Sequence, residues 1–114
     1  MHVADIWTCD VNGTPQSVFT KPCTVYWKVK IVDTGGAPVS GANVVTDLYK
    51  PGQSTVWTSK NANTDANGIA SMNINIVNNG TVGTYTIKVK SVTKSGWTYD
   101  SAANVKSETT FVVQ

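Results

Sequence analysis

Gly36-Ala37-Pro38-Val39-Ser40-Gly41-Ala42-Asn43-Val44, answered further along the chain by Thr64-Asp65-Ala66-Asn67-Gly68-Ile69-Ala70, decides how this sequence folds. The first stretch leads from a Gly/Pro turn into a strand. Pro38 fixes φ and lacks an N–H, and from Ala42 onward Val44, Thr46 and Leu48 share one face at a two-residue period. The second stretch is a tight turn on Asp-x-Asn-Gly, where Gly68 can take a positive φ cheaply before a new strand starts at Ile69. Such punctuation between alternating segments predicts an all-β sandwich, and no catalytic residue set lies between the two stretches.

The same alternation runs outward in both directions. His2 to Cys9 reads as a strand of irregular alternation, hence an edge, and residues 10–22 read as a loop holding Asn12-Gly13, Pro15 and Pro22. From Cys23 to Asp33 the residues Val25, Trp27, Val29 and Ile31 point one way and Tyr26, Lys28 and Lys30 the other. Ala42–Tyr49 follows, then a short strand Thr55–Thr58 around Trp57 and a turn region over 61–68. Ile69–Val77 turns Met72, Ile74 and Ile76 inward. Gly83–Val92 does the same with Tyr85, Ile87 and Val89, and Thr109–Val113 closes the set with Phe111 inside. Residues 97–104 are mixed, a loop or short strand. Seven or eight antiparallel strands at this spacing predict two facing sheets with Greek-key connections and no helix, within one domain over residues 1–114.

Composition agrees and excludes several functions. Val dominates the apolar residues and Thr, Ser and Asn the polar ones, whereas the chain has one Leu (Leu48), one Glu (Glu108) and no Arg. With 40% hydrophobic and 14% charged residues it can build one core. A net charge of +2 without arginine argues against a nucleic-acid partner. The longest apolar runs, such as Val25-Tyr26-Trp27, are three residues, so nothing reads as a membrane span or a signal peptide.

Chemistry is sparse. His2 is the sole histidine, too close to a chain end to anchor a triad, and two cysteines with one histidine do not form a zinc site. The aspartates fall at strand ends, where turn roles explain them, so the chain is expected to be no enzyme and to need no cofactor. Cys9 and Cys23 flank the 10–22 loop. A disulfide there would close about 15 residues and stabilise by ~3 kcal/mol, the alternative being two buried free thiols. Asp65 with Asn67, and Asp100 with Asn104, offer hard oxygens suited to calcium, unless they bond their own turns. Trp57, Trp97, Tyr49 and Tyr99 are candidates for stacking on sugar rings, against plain packing. Lys28, Lys30, Lys88 and Lys90 line outward faces, where lysine keeps sheets apart.

Three segments carry a family resemblance. Gly36–Val44 resembles a G-x-P-V-x-G-A-x-V strand entry, Thr64–Ala70 a T-D-x-x-G-x-A hairpin, and Gly83-Thr84-Tyr85-Thr86-Ile87-Lys88-Val89 a G-x-Y-x-x-x-V strand. Together they resemble the Ig-like modules of secreted bacterial proteins, found in adhesins of the invasin/intimin type and beside the catalytic domains of extracellular hydrolases. Met1–Ile6 and Tyr99–Asn104 are similar to the ends of one sub-family C-terminal in secreted enzymes, although Val105-Lys106-Ser107 replaces its acidic, Gly-rich continuation. The resemblance implies an Ig-like β-sandwich at the cell surface or outside the cell, a non-catalytic spacer, stabiliser or presentation domain partnered by neighbouring domains. The alternatives are a carbohydrate-binding module and a surface subunit that self-associates through an edge strand, with the irregular N-terminal strand as donor.

Overall fold

A computed structural model describes residues 1–114. Eight strands appear in the order β1 (His2–Cys9), β2 (Val18–Phe19), β3 (Cys23–Val32), β4 (Asn43–Tyr49), β5 (Thr58–Asn63), β6 (Ile69–Ile76), β7 (Gly83–Thr93) and β8 (Glu108–Val113). One sheet has the order β1-β3-β6 and the other β2-β8-β7-β4-β5. All pairings are antiparallel except β2 with β8. The chain crosses between sheets after β1, β2, β3, β5 and β6, which is the two-sheet sandwich that the period-two segments predict, in the Ig-like form that the resemblance implies.

The two inner faces build a single core. Val25, Trp27, Val29 and Ile31 of β3 meet Val44, Leu48, Tyr85, Ile87 and Phe111 of the opposite sheet, all fully buried or nearly so. Each such side chain stabilises by roughly 1.5–3 kcal/mol. Trp27 reaches across the layer to donate its Nε1–H to Thr46 Oγ1 at 3.3 Å, and Tyr85 stacks on Phe111 with centroids 5.0 Å apart. The Tyr85 hydroxyl donates back to the Thr81 carbonyl at 2.6 Å, a corner typical of Ig-like sandwiches.

The two decisive stretches of sequence interlock. Thr64 is buried, its Oγ1 donates to Val39 O at 2.6 Å and accepts from Ala42 N–H at 2.9 Å, and its N–H and carbonyl bond Ala42 and Gly41. Gly68, at φ 75°, gives its carbonyl to Ile31 N–H, and a Cβ there would lie 2.5 Å from Ile31 O and 3.0 Å from Pro38 Cβ. Only glycine fits both the angle and the space. This latch holds one end of the sandwich closed.

Four local expectations are corrected. The 10–22 loop contains β2, a two-residue strand set by long-range pairing to β8. The strand around Trp57 instead begins at Thr58 and runs to Asn63 through residues expected to turn; pairing with β4 and the Asn43–Asn63 side-chain bond (3.0 Å) define it, not apolar alternation. A register shift in β4–β7 leaves Val89 half-buried and puts Val92 in the core. Residues 101–103 form one 3-10 turn where no helix was expected.

Strand β1 is an edge, as its irregular alternation predicts, and several of its outward groups are already taken. Val3 N–H is taken by Asn104 Oδ1 at 2.8 Å, Val3 O by Val105 N–H, Ile6 N–H by Asp5 Oδ1, and Thr8 by Gln16 on both main chain and side chain. A register shift at Val3/Asp5 bends it further. The edge expected to donate is thus capped at Val3, at the Ile6 N–H and at the Thr8 carbonyl.

Candidate functional site

Trp57 sits in the connection just before β5, where its N–H bonds Leu48 O. Its ring turns toward the core and tilts against Tyr85, centroids 5.8 Å apart, while Lys50 Nζ lies over it at 5.0 Å. Between these residues and the β6–β7 turn is a cleft of about 200 Å³, lined by Asn75, Ile76, Asn79, Thr81 and Tyr85 besides the indole. It opens between the two sheets at the end opposite the Thr64 latch.

The four aromatic candidates do not share a surface. Trp97 follows β7 and lies at the far end of β4 from Trp57, about 20 Å away along the strands. Lys94 Nζ lies over its ring at 5.1 Å, and the residue is 43% exposed. Tyr99 is half-buried against the core and its hydroxyl accepts from Asn104 Nδ2 at 2.7 Å. Tyr49 faces outward under Lys88 Nζ. Trp57 lines the cleft, Trp97 and Tyr99 line one shallow, open pocket of about 680 Å³ after β7, and Tyr49 stands apart from both.

The calcium candidates have local work. Asp65 Oδ1 accepts from Asn67 N–H (2.8 Å) and Ile69 N–H (3.1 Å), closing its turn without an ion. Asp10 and Asp33 do the same with the amides two and four residues on, so Asp10-x-x-Gly13 and Asp33-x-x-Gly36 are further copies of the Asp65-x-x-Gly68 device. That repetition is legible in the sequence as Asp three residues before Gly. Asn104 Oδ1 is committed to Val3 and its amide to Tyr99, while Asp100 contributes its main-chain N–H to Met1 O.

Cys9 and Cys23 are free thiols, so the expected disulfide is corrected. The register explains why. Cys9 stands opposite Tyr26, three residues along β3 from Cys23, a separation of about 10 Å along the strand, beyond disulfide reach. The two also face opposite ways: Cys23 shares the inward parity of Val25 and Trp27, and Cys9 shares the outward face of Tyr26, buried beneath the 10–17 segment that bridges it at Pro15. Burial pushes both thiols above the ordinary value of 9.0, for Cys9 against a lowering by Lys28. Burial likewise raises the Tyr85 hydroxyl, with a smaller push from Cys23.

No group of three or more His, Cys, Asp or Glu side chains comes together. The one ion pair, Lys88–Glu108 at 3.8 Å, is exposed on an outer face. The sequence matches the family described as SMCHD1 Ig-like domain 6 over residues 18–101, from β2 to the first residue of the 3-10 turn. No curated protein matches it.

Proposed function

This chain belongs to the family described as SMCHD1 Ig-like domain 6, and from that premise we propose that it is a load-bearing spacer, a non-catalytic accessory module of a secreted or cell-surface bacterial protein. The observation that carries the spacer role is the placement of its ends. Met1 lies beside Thr98 and Asp100 at the latch end, whereas Gln114 continues β8 at the cleft end, in a molecule 43 × 30 × 20 Å in extent. Neighbours joined to the two ends would be held apart by the length of the strands.

Tension between those ends runs along the strands. It loads the β1–β3 ladder and the parallel β2–β8 patch in shear, so that several hydrogen bonds must yield together. In that patch Val112 N–H bonds Ser17 O, Gln114 N–H bonds Phe19 O, and Lys21 N–H bonds Gln114 O, all between 2.8 and 3.0 Å. Bacterial and extracellular placement is supported by the strand-entry and hairpin motifs; with both thiols free, cysteine usage lends it no support.

Single-molecule pulling through the termini tests the role. A distinct unfolding force peak is expected, and Val112→Pro, which deletes the N–H given to Ser17 but none of the β7 ladder, lowers it. Featureless extension of the wild-type domain at low force would remove the spacer reading.

A further inference from the structure

Of the four strands at sheet margins, β6 alone lacks a protective device. β1 is capped as described, β2 is two residues long, and β5 carries Lys60 on its inner face, in parity with the core-packed Ala62. An inward-pointing lysine on an edge strand opposes edge-to-edge association. β6 has no charge, no proline and no bulge, and its register with β3 is unbroken from Cys23–Ile76 to Lys30–Ile69. No hydrogen bond outside that ladder reaches a main-chain atom of Ala70–Ile76, so the outward half of its N–H and C=O groups is unpaired within the chain.

Two further features lie along this edge. Beside Ile76 the gap between the sheets widens into the cleft lined by Trp57 and Tyr85. Near Met72, which touches Thr46, stands Lys60, paired to Thr46 in register and engaged in no ion pair. An added strand places alternate side chains over the sandwich interior. Its first inward residue would meet the cleft and the one four positions away would meet Lys60, about 13 Å on.

We infer that the open edge of β6 is a strand-addition site for an extended segment of a partner protein, whose apolar side chain enters the Trp57–Tyr85 cleft and whose carboxylate, four residues away, pairs with Lys60. Main-chain bonds supply affinity and the two side-chain positions supply selectivity. Charge chooses this occupant over a second copy of the chain. β6 carries no acid, and two copies paired edge to edge would bring Lys60 against Lys60. The site goes beyond the spacer role and does not depend on it.

The test uses two nine-residue peptides, Thr-Phe-Thr-Val-Thr-Glu-Thr-Val-Thr and its reversed sequence, which cover both strand directions. Controls replace Glu by Lys or Phe by Thr. Calorimetry is expected to show one glutamate peptide binding roughly three- to five-fold tighter than its lysine control, with the preference inverted in Lys60→Glu and binding lost with the Phe→Thr control. In the wild-type protein, amide exchange should slow at β6 on peptide addition and Trp57 fluorescence should shift. Several results would overturn the inference: no binding by either peptide, protection mapped to another strand, equal affinity of the Glu and Lys peptides, or a peptide-free dimer whose β6 amides are already protected. None of these bears on the pulling experiment, so the two proposals fail separately.

Discussion

The two flanks of the sandwich treat the same problem in opposite ways. On the β1/β2/β8 flank several outward main-chain groups find partners close at hand: Asn104 and Val105 for Val3, Asp5 for the Ile6 N–H, Gln16 for the Thr8 carbonyl, and Ser17 and Phe19 for β8. On the β5/β6 flank one edge is guarded only by Lys60 and the other not at all. A closed flank can bear load without sticking to its neighbours. An open one can accept a strand. Edge protection in this fold is local and side-specific, built from single Asn, Asp, Gln and Lys residues and not from the sheet as a whole.

The largest effect is expected at the turn joining the two open strands. Gly68→Ala puts a Cβ within 2.5 Å of Ile31 O at a positive φ, and should cost about 2–4 kcal/mol in denaturant unfolding. A cost below ~0.5 kcal/mol would mean that the latch does not hold β6 in place.

A smaller effect falls on the closed flank. Asn104→Ala frees the Val3 N–H and the Tyr99 hydroxyl, and should destabilise by about 1–2 kcal/mol. Amide exchange at Val3 should become fast while exchange at β3 stays slow. Unchanged exchange at Val3 would show that β1 is protected by something other than this cap.

The smallest is a pH effect. Cys9, Cys23 and Tyr85 hold their protons more tightly folded than unfolded. Their contribution is therefore complete below the unfolded values and is lost as pH rises through the folded ones. Thermal stability should accordingly be level from neutral pH to about 8.5 and decline above the ordinary thiol value of 9.0. Cys23→Ala should flatten the first part of that decline, and a stability that rises from pH 9 to 10 would contradict the burial of these groups.

How much of this was legible beforehand follows from the range of the forces involved. Period-two burial is a local signal, so the inner faces of β3, β4 and β6 were readable residue by residue, down to Trp27 and Ile74. The Gly36–Val44 and Thr64–Ala70 motifs were recognisable as punctuation, but not that Thr64 Oγ1 binds Val39 or that Gly68 packs under Pro38, because those contacts join distant residues. β5 has polar residues throughout and is a strand only because β4 pairs with it. The disulfide expectation failed for a related reason: sequence distance placed Cys9 and Cys23 around one loop, whereas register and parity put them on opposite faces. Trp57 and Trp97 stand at opposite ends of the strands, a separation set by the topology and not by anything local in the sequence. The cleft, the capped β1 and the bare β6 depend on which strand lies beside which, and that is decided by the whole topology.

Site-resolved hydrogen exchange of the unliganded domain tests the asymmetry most directly. Slow exchange is expected at Val3 and Ile6 on β1 and, along β6, slow amides alternating with fast ones as every second N–H faces solvent. Uniform protection across Ala70–Ile76, or fast exchange at Val3 and Ile6, would contradict it.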